Sequence, residues 1–300
     1  MNKRKLVRTA VCFLLVAGLT AEAAPGPRKA AGPDVTLEAV LAKAQSYCRR
    51  LDAAALDFTC REEVKEKTNT RSQPQGISMQ NMPTFVSSKP GALRVTPPPA
   101  ESFLDTTYLY DYQYTRNSAG MKQRRDLLKK DGEDLEEFDT RIKSIHFAFA
   151  DIFFGPSRLL GQTAGETHTY TLLKTEKIKG QPTAVIVCAP KDTGGERALS
   201  GKAWVRIEDG AVLKIEWDPT TFGGWKEVLA VADRYKMKPQ IKSLTEFRVE
   251  QNGLRFPSQH VTEEVYDGGG ANIFTRSVTS AKYEGYKFST VEIPTEIIKH

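Results

Sequence analysis

From Thr106 onward, apolar and polar residues alternate with a period of two. Tyr108, Tyr110, Tyr112 and Tyr114 alternate with Leu109, Asp111 and Gln113, predicting a strand with four phenols on one face. Residues 122–130 can return as its partner, and 133–142 read as a polar helix or loop. The last 130 residues predict strand after strand, at 167–178, 183–190, 199–207, 211–218, 228–238, 242–251, 254–266 and 272–288. Two stretches depart from this period. Leu37, Val40, Leu41, Ala44, Cys48 and Leu51 recur at helical spacing after Pro33 and Thr36, predicting an amphipathic helix that precedes a strand carrying Leu56, Phe58 and Cys60 on its apolar face. The aromatic segment 146–160 holds Phe147, Phe149, Phe153 and Phe154. Its Gly155-Pro156 pair predicts a short helix, a break and a second helical turn.

Turn chemistry sets two registers. A two-residue Asn252-Gly253 turn places Val249 opposite Phe256 and Glu250 opposite Arg255, so apolar meets apolar and opposite charges meet. A three-residue Glu208-Asp209-Gly210 loop places Ala203, Val205 and Ile207 opposite Ile215, Leu213 and Ala211, with Gly210 left-handed. Residues 68–102 hold six of the sixteen prolines and predict a long loop insertion with a short strand near 84–87. The fold class is mainly β (α+β). A single large twisted antiparallel sheet forms one domain over 36–300, covered by the N-terminal helix and the short helical segment.

The N-terminus changes the charge balance. Lys3, Arg4, Lys5 and Arg8 precede an apolar run of a dozen residues, and Ala21-Glu22-Ala23 has the spacing of a secretory cleavage site. Residues 1–23 are therefore expected to be a cleaved signal peptide and 24–35 a flexible lead-in, making the protein periplasmic or secreted. Cys12 lies inside the apolar run, so no lipid attachment is expected. The leader holds four basic side chains and one acidic one, so the charge falls from +6 to +3 on cleavage. That is too little to support nucleic-acid binding. A monomer is expected.

An oxidising compartment favours a disulfide, and Cys48 and Cys60 both point inward. A bridge between them would stabilise by about 3 kcal/mol in the chain-entropy model; the alternative is two buried, unlinked thiols. Cys188, in an apolar strand, reads as a core residue. His146, His168, His260 and His300 form no spaced metal pair, and there is no nucleophile elbow, phosphate loop or dinucleotide fingerprint. No catalytic residue, cofactor or metal is predicted. The glycine clusters at 194–195, 223–224 and 268–270 read as inter-strand loops with no helix following. Glu62-Glu63, Glu136-Glu137 and Glu263-Glu264 read as solvated charge runs. The tyrosine face suits either a cavity mouth or packing beneath a helix. Trp225 suits either an exposed contact or the core.

The order of parts resembles the LolA-like outer-membrane lipoprotein-sorting superfamily, which includes MucB-type stress regulators. A leader, helix and strand are followed by Gly201-Lys202-Ala203-Trp204-Val205-Arg206-Ile207-Glu208-Asp209-Gly210-Ala211-Val212-Leu213-Lys214-Ile215-Glu216 and the Asn252-Gly253-Leu254-Arg255-Phe256-Pro257 hairpin. The resemblance covers roughly residues 36–66 and 167–290. It implies an open half-barrel enclosing a helix-covered hydrophobic cavity. It further implies a non-enzymatic protein whose partner is a lipid acyl chain or lipoprotein or, in the alternative, an envelope membrane protein met by a stress-sensor module. Tyr108, Tyr110, Tyr112, Tyr114, Phe147, Phe153 and Trp225 are the candidate contacts.

Overall fold

A computed structural model describes residues 35–70, 102–140, 152–191, 199–221, 224–270 and 272–295. The expected leader with its cleavage site at Ala23, most of the Pro-rich insertion with its short strand, and Phe147, His146 and His300 lie outside the described residues.

Helix α1 (Leu37–Ala53) starts at Thr36, whose hydroxyl accepts the Ala39 N–H at 3.3 Å. Its stripe of Val40, Ala44, Tyr47, Cys48 and Leu51 is buried. The chain then forms β1 (Ala55–Asn69), β2 (Phe103–Asn117), β3 (Gly120–Lys130) and β4 (Glu133–Glu137). A 3₁₀ turn (Ile152–Phe154), α2 (Gly155–Leu160) and α3 (Ala164–Thr167) lead into β5 (His168–Ile178), β6 (Gln181–Pro190), β7 (Gly201–Arg206) and β8 (Val212–Trp217). After α4 (Trp225–Tyr235) come β9 (Lys238–Glu246), β10 (Val249–Gln251), β11 (Leu254–Phe256), β12 (Gln259–Asp267) and β13 (Ile273–Glu292).

Eleven strands form one sheet in the order β4-β3-β2-β1-β13-β12-β9-β8-β7-β6-β5, and β10 and β11 form a separate hairpin. Every paired neighbour is antiparallel, and the sheet ends at β4 and β5 without closing, which makes it an open half-barrel. Apart from β9 and β12, which pair around the β10–β11 hairpin, the pairing among the described residues that departs from a simple meander is β1–β13. It zips the first described strand onto the last, from Ala55 opposite Glu292 to Thr68 opposite Ser277. α1, the 3₁₀ turn and α2 cover the inner face and share its hydrophobic core.

The Asn252-Gly253 hairpin has the expected register, with both turn residues at positive φ. In the 208–210 loop Gly210 is left-handed and Ala203 faces Ile215 as expected, but a bulge after Trp204 sets Val205 opposite Val212 instead of Leu213. Four further expectations are corrected. Residues 133–137 form a strand because Lys129 and Lys130 face Asp134 and Glu133, so opposite charges supply the cross-strand pairing that apolar alternation does not. Residues 228–238 are mostly helix: Val228 to Ala232 is apolar at every position, so its periodicity does not separate strand from helix. A helix does follow Gly223-Gly224, since Gly224 at φ +90° is the N-cap of α4. Gly155-Pro156 starts α2 instead of breaking a helix, because proline suits a first turn and a β-carbon at Gly155 would lie 2.7 Å from the Trp217 ring.

The Cys48–Cys60 bridge is also corrected: both thiols are free and buried, as is Cys188. Six helical residues place Cys48 ~9 Å from the corner at Ala54, whereas six extended residues place Cys60 ~20 Å from it. Whatever the crossing angle, the two Cα atoms stay ~10 Å or more apart, beyond the ~7 Å limit for bridging. Cys48 instead neighbours Ser157 and Cys188, while Cys60 neighbours Glu62 and Tyr286.

Candidate functional site: the concave face

The inner face has an aromatic sector and a polar sector. The β1–β2 register puts Phe58 opposite Tyr114, Cys60 opposite Tyr112, Glu62 opposite Tyr110 and Val64 opposite Tyr108, so all four phenols share the inward face of β1. They are core residues, with Tyr110 and Tyr112 0% exposed. Of the two roles open to them in the sequence, they take the packed one. Phe153, from the 3₁₀ turn, is inserted among them. Its ring lies 5.3 Å from Tyr112, 5.8 Å from Tyr114, 5.5 Å from Phe58 and 5.6 Å from Tyr283, centroid to centroid. Phe256, Tyr286 and Phe288 extend the floor around Phe58. Burial pushes the Tyr112 hydroxyl well above the ordinary phenol range, and it has no hydrogen-bond partner among the described residues.

Along the same strands the floor turns polar. Glu62, Glu66 and Thr68 of β1, Ser277 and Thr279 of β13, His260, Thr262 and Glu264 of β12, and Ser243 and Thr245 of β9 are all buried. Glu62 accepts from Arg125 Nε at 2.5 Å and from the Tyr283 hydroxyl at 2.7 Å, and the Arg125 guanidinium sits 4.3 Å from the Tyr112 ring centre. Glu264 accepts from the Tyr266 hydroxyl, Arg276 Nη1 and Ser277 Oγ at 2.5, 2.7 and 3.2 Å. His260 bonds to Thr245 Oγ1 (2.8 Å) and Thr262 Oγ1 (3.2 Å), and burial pushes its pKa down to about 4. His168 is structural, bonded to the Leu199 and Ala164 carbonyls. One member of each pair Glu62-Glu63 and Glu263-Glu264 is therefore buried, correcting the solvated-run reading. The available signal was the inward register itself, which passes from Phe58 and Cys60 to Glu62 and Glu66 at a spacing of two.

Phe153 thus joins the four tyrosines, but Trp225 does not. It is the first residue of α4, half-buried against a separate cluster of Val228, Val231, Ala232 and Tyr266. A cleft of about 580 Å³ lies over β8, β9 and β12, lined among others by Lys214, Glu216, Lys242, Glu246, Arg248 and Glu263. Three cations interleaved with three carboxylates make it a poor host for hydrocarbon. Among the described residues, no group of three His, Cys, Asp or Glu side chains is placed to hold a metal, and no helix is long and apolar enough to cross a membrane.

No protein-family model matches the chain, and no curated protein matches it. Solved structures do. The chain is similar to a LolA superfamily protein from Nitrosomonas europaea at 11% identity and TM-score 0.34, covering 89% of this chain and 98% of that one. It is similar to an outer membrane lipoprotein-sorting protein domain from Vibrio parahaemolyticus at 13% identity and TM-score 0.34, covering 86% and 96%. A third is a chain of the Pseudomonas aeruginosa MucA/MucB complex, at 11% identity and TM-score 0.22, covering 87% and 95%. The chain is also similar to a DUF1329 family protein from Desulfovibrio piger at 10% identity and TM-score 0.36, covering 84% of this chain and 93% of that one. Identities and TM-scores are low, and the half-barrel rests on the strand pairing described above.

Proposed function

We propose that the chain is a non-catalytic binding protein of the periplasm that takes the acyl part of a lipid or lipoprotein into its concave face. One observation carries the reading: Phe153 fills an aromatic cage from a segment that holds itself weakly, a three-residue turn followed by a six-residue helix. Such a plug is held by the same apolar contacts that an acyl chain would make. Burying one phenylalanine is worth about 1.5–3 kcal/mol and each methylene ~0.8 kcal/mol, so about four methylenes match the plug and a long chain exceeds it. Titration with a fluorescent long-chain fatty acid tests this. Saturable uptake is expected, tightened in Phe153→Ala because the competing plug is weaker. No saturable uptake by either protein, with the fold intact by circular dichroism, would overturn it.

The second reading is a protein-interaction or envelope-stress module on the same fold. It is favoured by the extent to which the protein's own rings fill the aromatic sector. Capture of a membrane protein from the envelope, undiminished in Phe153→Ala and without lipid uptake, would select it.

A further inference from the structure

We propose that Tyr112 is a specificity-determining residue of the concave face, donating its hydroxyl to the neutral carbonyl oxygen, ester or amide, of a bound acyl chain; this rests on the acyl-binding reading above. Tyr112 stands on the inward face of β2. Side chains on a strand project roughly perpendicular to the sheet, so its hydroxyl is the part that reaches farthest into the concave face. It is 0% exposed and, among the described residues, has no hydrogen-bond partner. Two neighbouring phenols differ: the Tyr283 hydroxyl donates to Glu62 and the Tyr286 hydroxyl to the Pro257 carbonyl, both at 2.7 Å. A buried hydroxyl without an acceptor is costly, and phenylalanine would pack in its place without that cost.

The Phe153 plug satisfies the Tyr112 ring and not its hydroxyl. The two rings lie nearly parallel, at 13° and 5.3 Å between centroids, and a phenylalanine side chain carries no oxygen or nitrogen to accept the proton. A chain that takes the place of Phe153 lies along the same ring, so an oxygen on that chain meets the phenol. Burial keeps the hydroxyl protonated, which makes it a donor. A neutral oxygen suits it better than a carboxylate. The nearby cation, Arg125, with its guanidinium 4.3 Å from the Tyr112 ring centre, is already paired with Glu62, and a second buried carboxylate there would lack a counter-charge.

The test measures uptake by the purified protein of radiolabelled methyl palmitate and of radiolabelled octadecane, which has the same chain length without the carbonyl, each supplied from cyclodextrin. The wild type is expected to take up both with saturation. Tyr112→Phe is expected to bind the ester about fivefold to tenfold more weakly and octadecane unchanged, because the ring against the chain is retained. The ligand-free variant is expected to unfold at a urea midpoint no lower than that of the wild type, since removing the hydroxyl breaks no bond within the protein. The inference is overturned, with the acyl reading intact, if Tyr112→Phe binds the ester as tightly as the wild type does or weakens both molecules alike. A lower urea midpoint in the variant overturns it too, because the hydroxyl would then be engaged by a partner within the protein. If the wild type takes up neither molecule, the acyl reading fails and this inference fails with it.

Discussion

His260 is 5% exposed and faces Thr245 of β9 and Ala281 of β13, with Thr262 two residues and Glu264, paired with Arg276 of β13, four residues along its own strand. Desolvation holds its folded pKa at about 4, below the ordinary 6.5. Folding therefore favours the neutral ring. The stability this contributes is fully present above pH 6.5 and is lost as pH falls from 6.5 through 4, to a total of about 3 kcal/mol. Urea unfolding at neutral pH and near pH 4 checks this: the wild type is expected to lose that amount beyond what His260→Gln loses, and parallel losses would disprove it. Gly210 illustrates the limit of local reading at the same scale. Its left-handed backbone follows from the turn, but the turn's contact with Lys43 and Ala44 of α1, which leaves no room for a β-carbon, arises only on packing.

Among the elements, the two covers of the concave face are fastened differently. α1 is held by directed bonds. Lys43 Nζ donates to the Ile207 carbonyl at 2.8 Å, the Arg255 N–H to the Tyr47 hydroxyl at 3.0 Å, and the Arg116 guanidinium to the Leu51 and Ala54 carbonyls. The Phe153 segment is held instead by apolar packing, with Leu159 and Leu160 of α2 fully buried, and by a bond from the Tyr170 hydroxyl to the Leu159 carbonyl at 3.0 Å. Strands β1, β3 and β13 are in turn tied by the Glu62–Arg125–Tyr283 cluster, whose arginine reaches past β2. Arg125→Leu leaves a carboxylate buried and unpaired, so a loss of about 3–5 kcal/mol is expected. Removing both charges, in Glu62→Leu/Arg125→Leu, is expected to recover most of it. If the double variant is as unstable as the single one in urea unfolding, the pair is not what sets the cost.

At the level of the whole molecule, the sheet is stapled by pairing and not by sulfur. Cys48 and Cys60 are expected to take up an alkylating agent in denaturant without prior reduction, and the unfolding midpoint is expected to be the same with and without reductant. A reductant-dependent mass increase at Cys48 and Cys60 would contradict this. The resemblance to a half-barrel family was legible because it lies in local features. Alternation marks most strands, the Asn252-Gly253 turn sets its register, and the Thr36 cap and the stripe behind it mark α1. The sequence by itself determined these because strand period, turn conformation and capping depend on neighbours a few residues away. Only the tertiary structure decided that the tyrosines are core, that Phe153 plugs their cage, that Glu62 and Glu264 are buried and that Cys48 and Cys60 stay apart. Each of these depends on distant strands meeting: the Tyr283 hydroxyl reaches Glu62 across 221 residues of chain, and that partner sets the environment of the carboxylate.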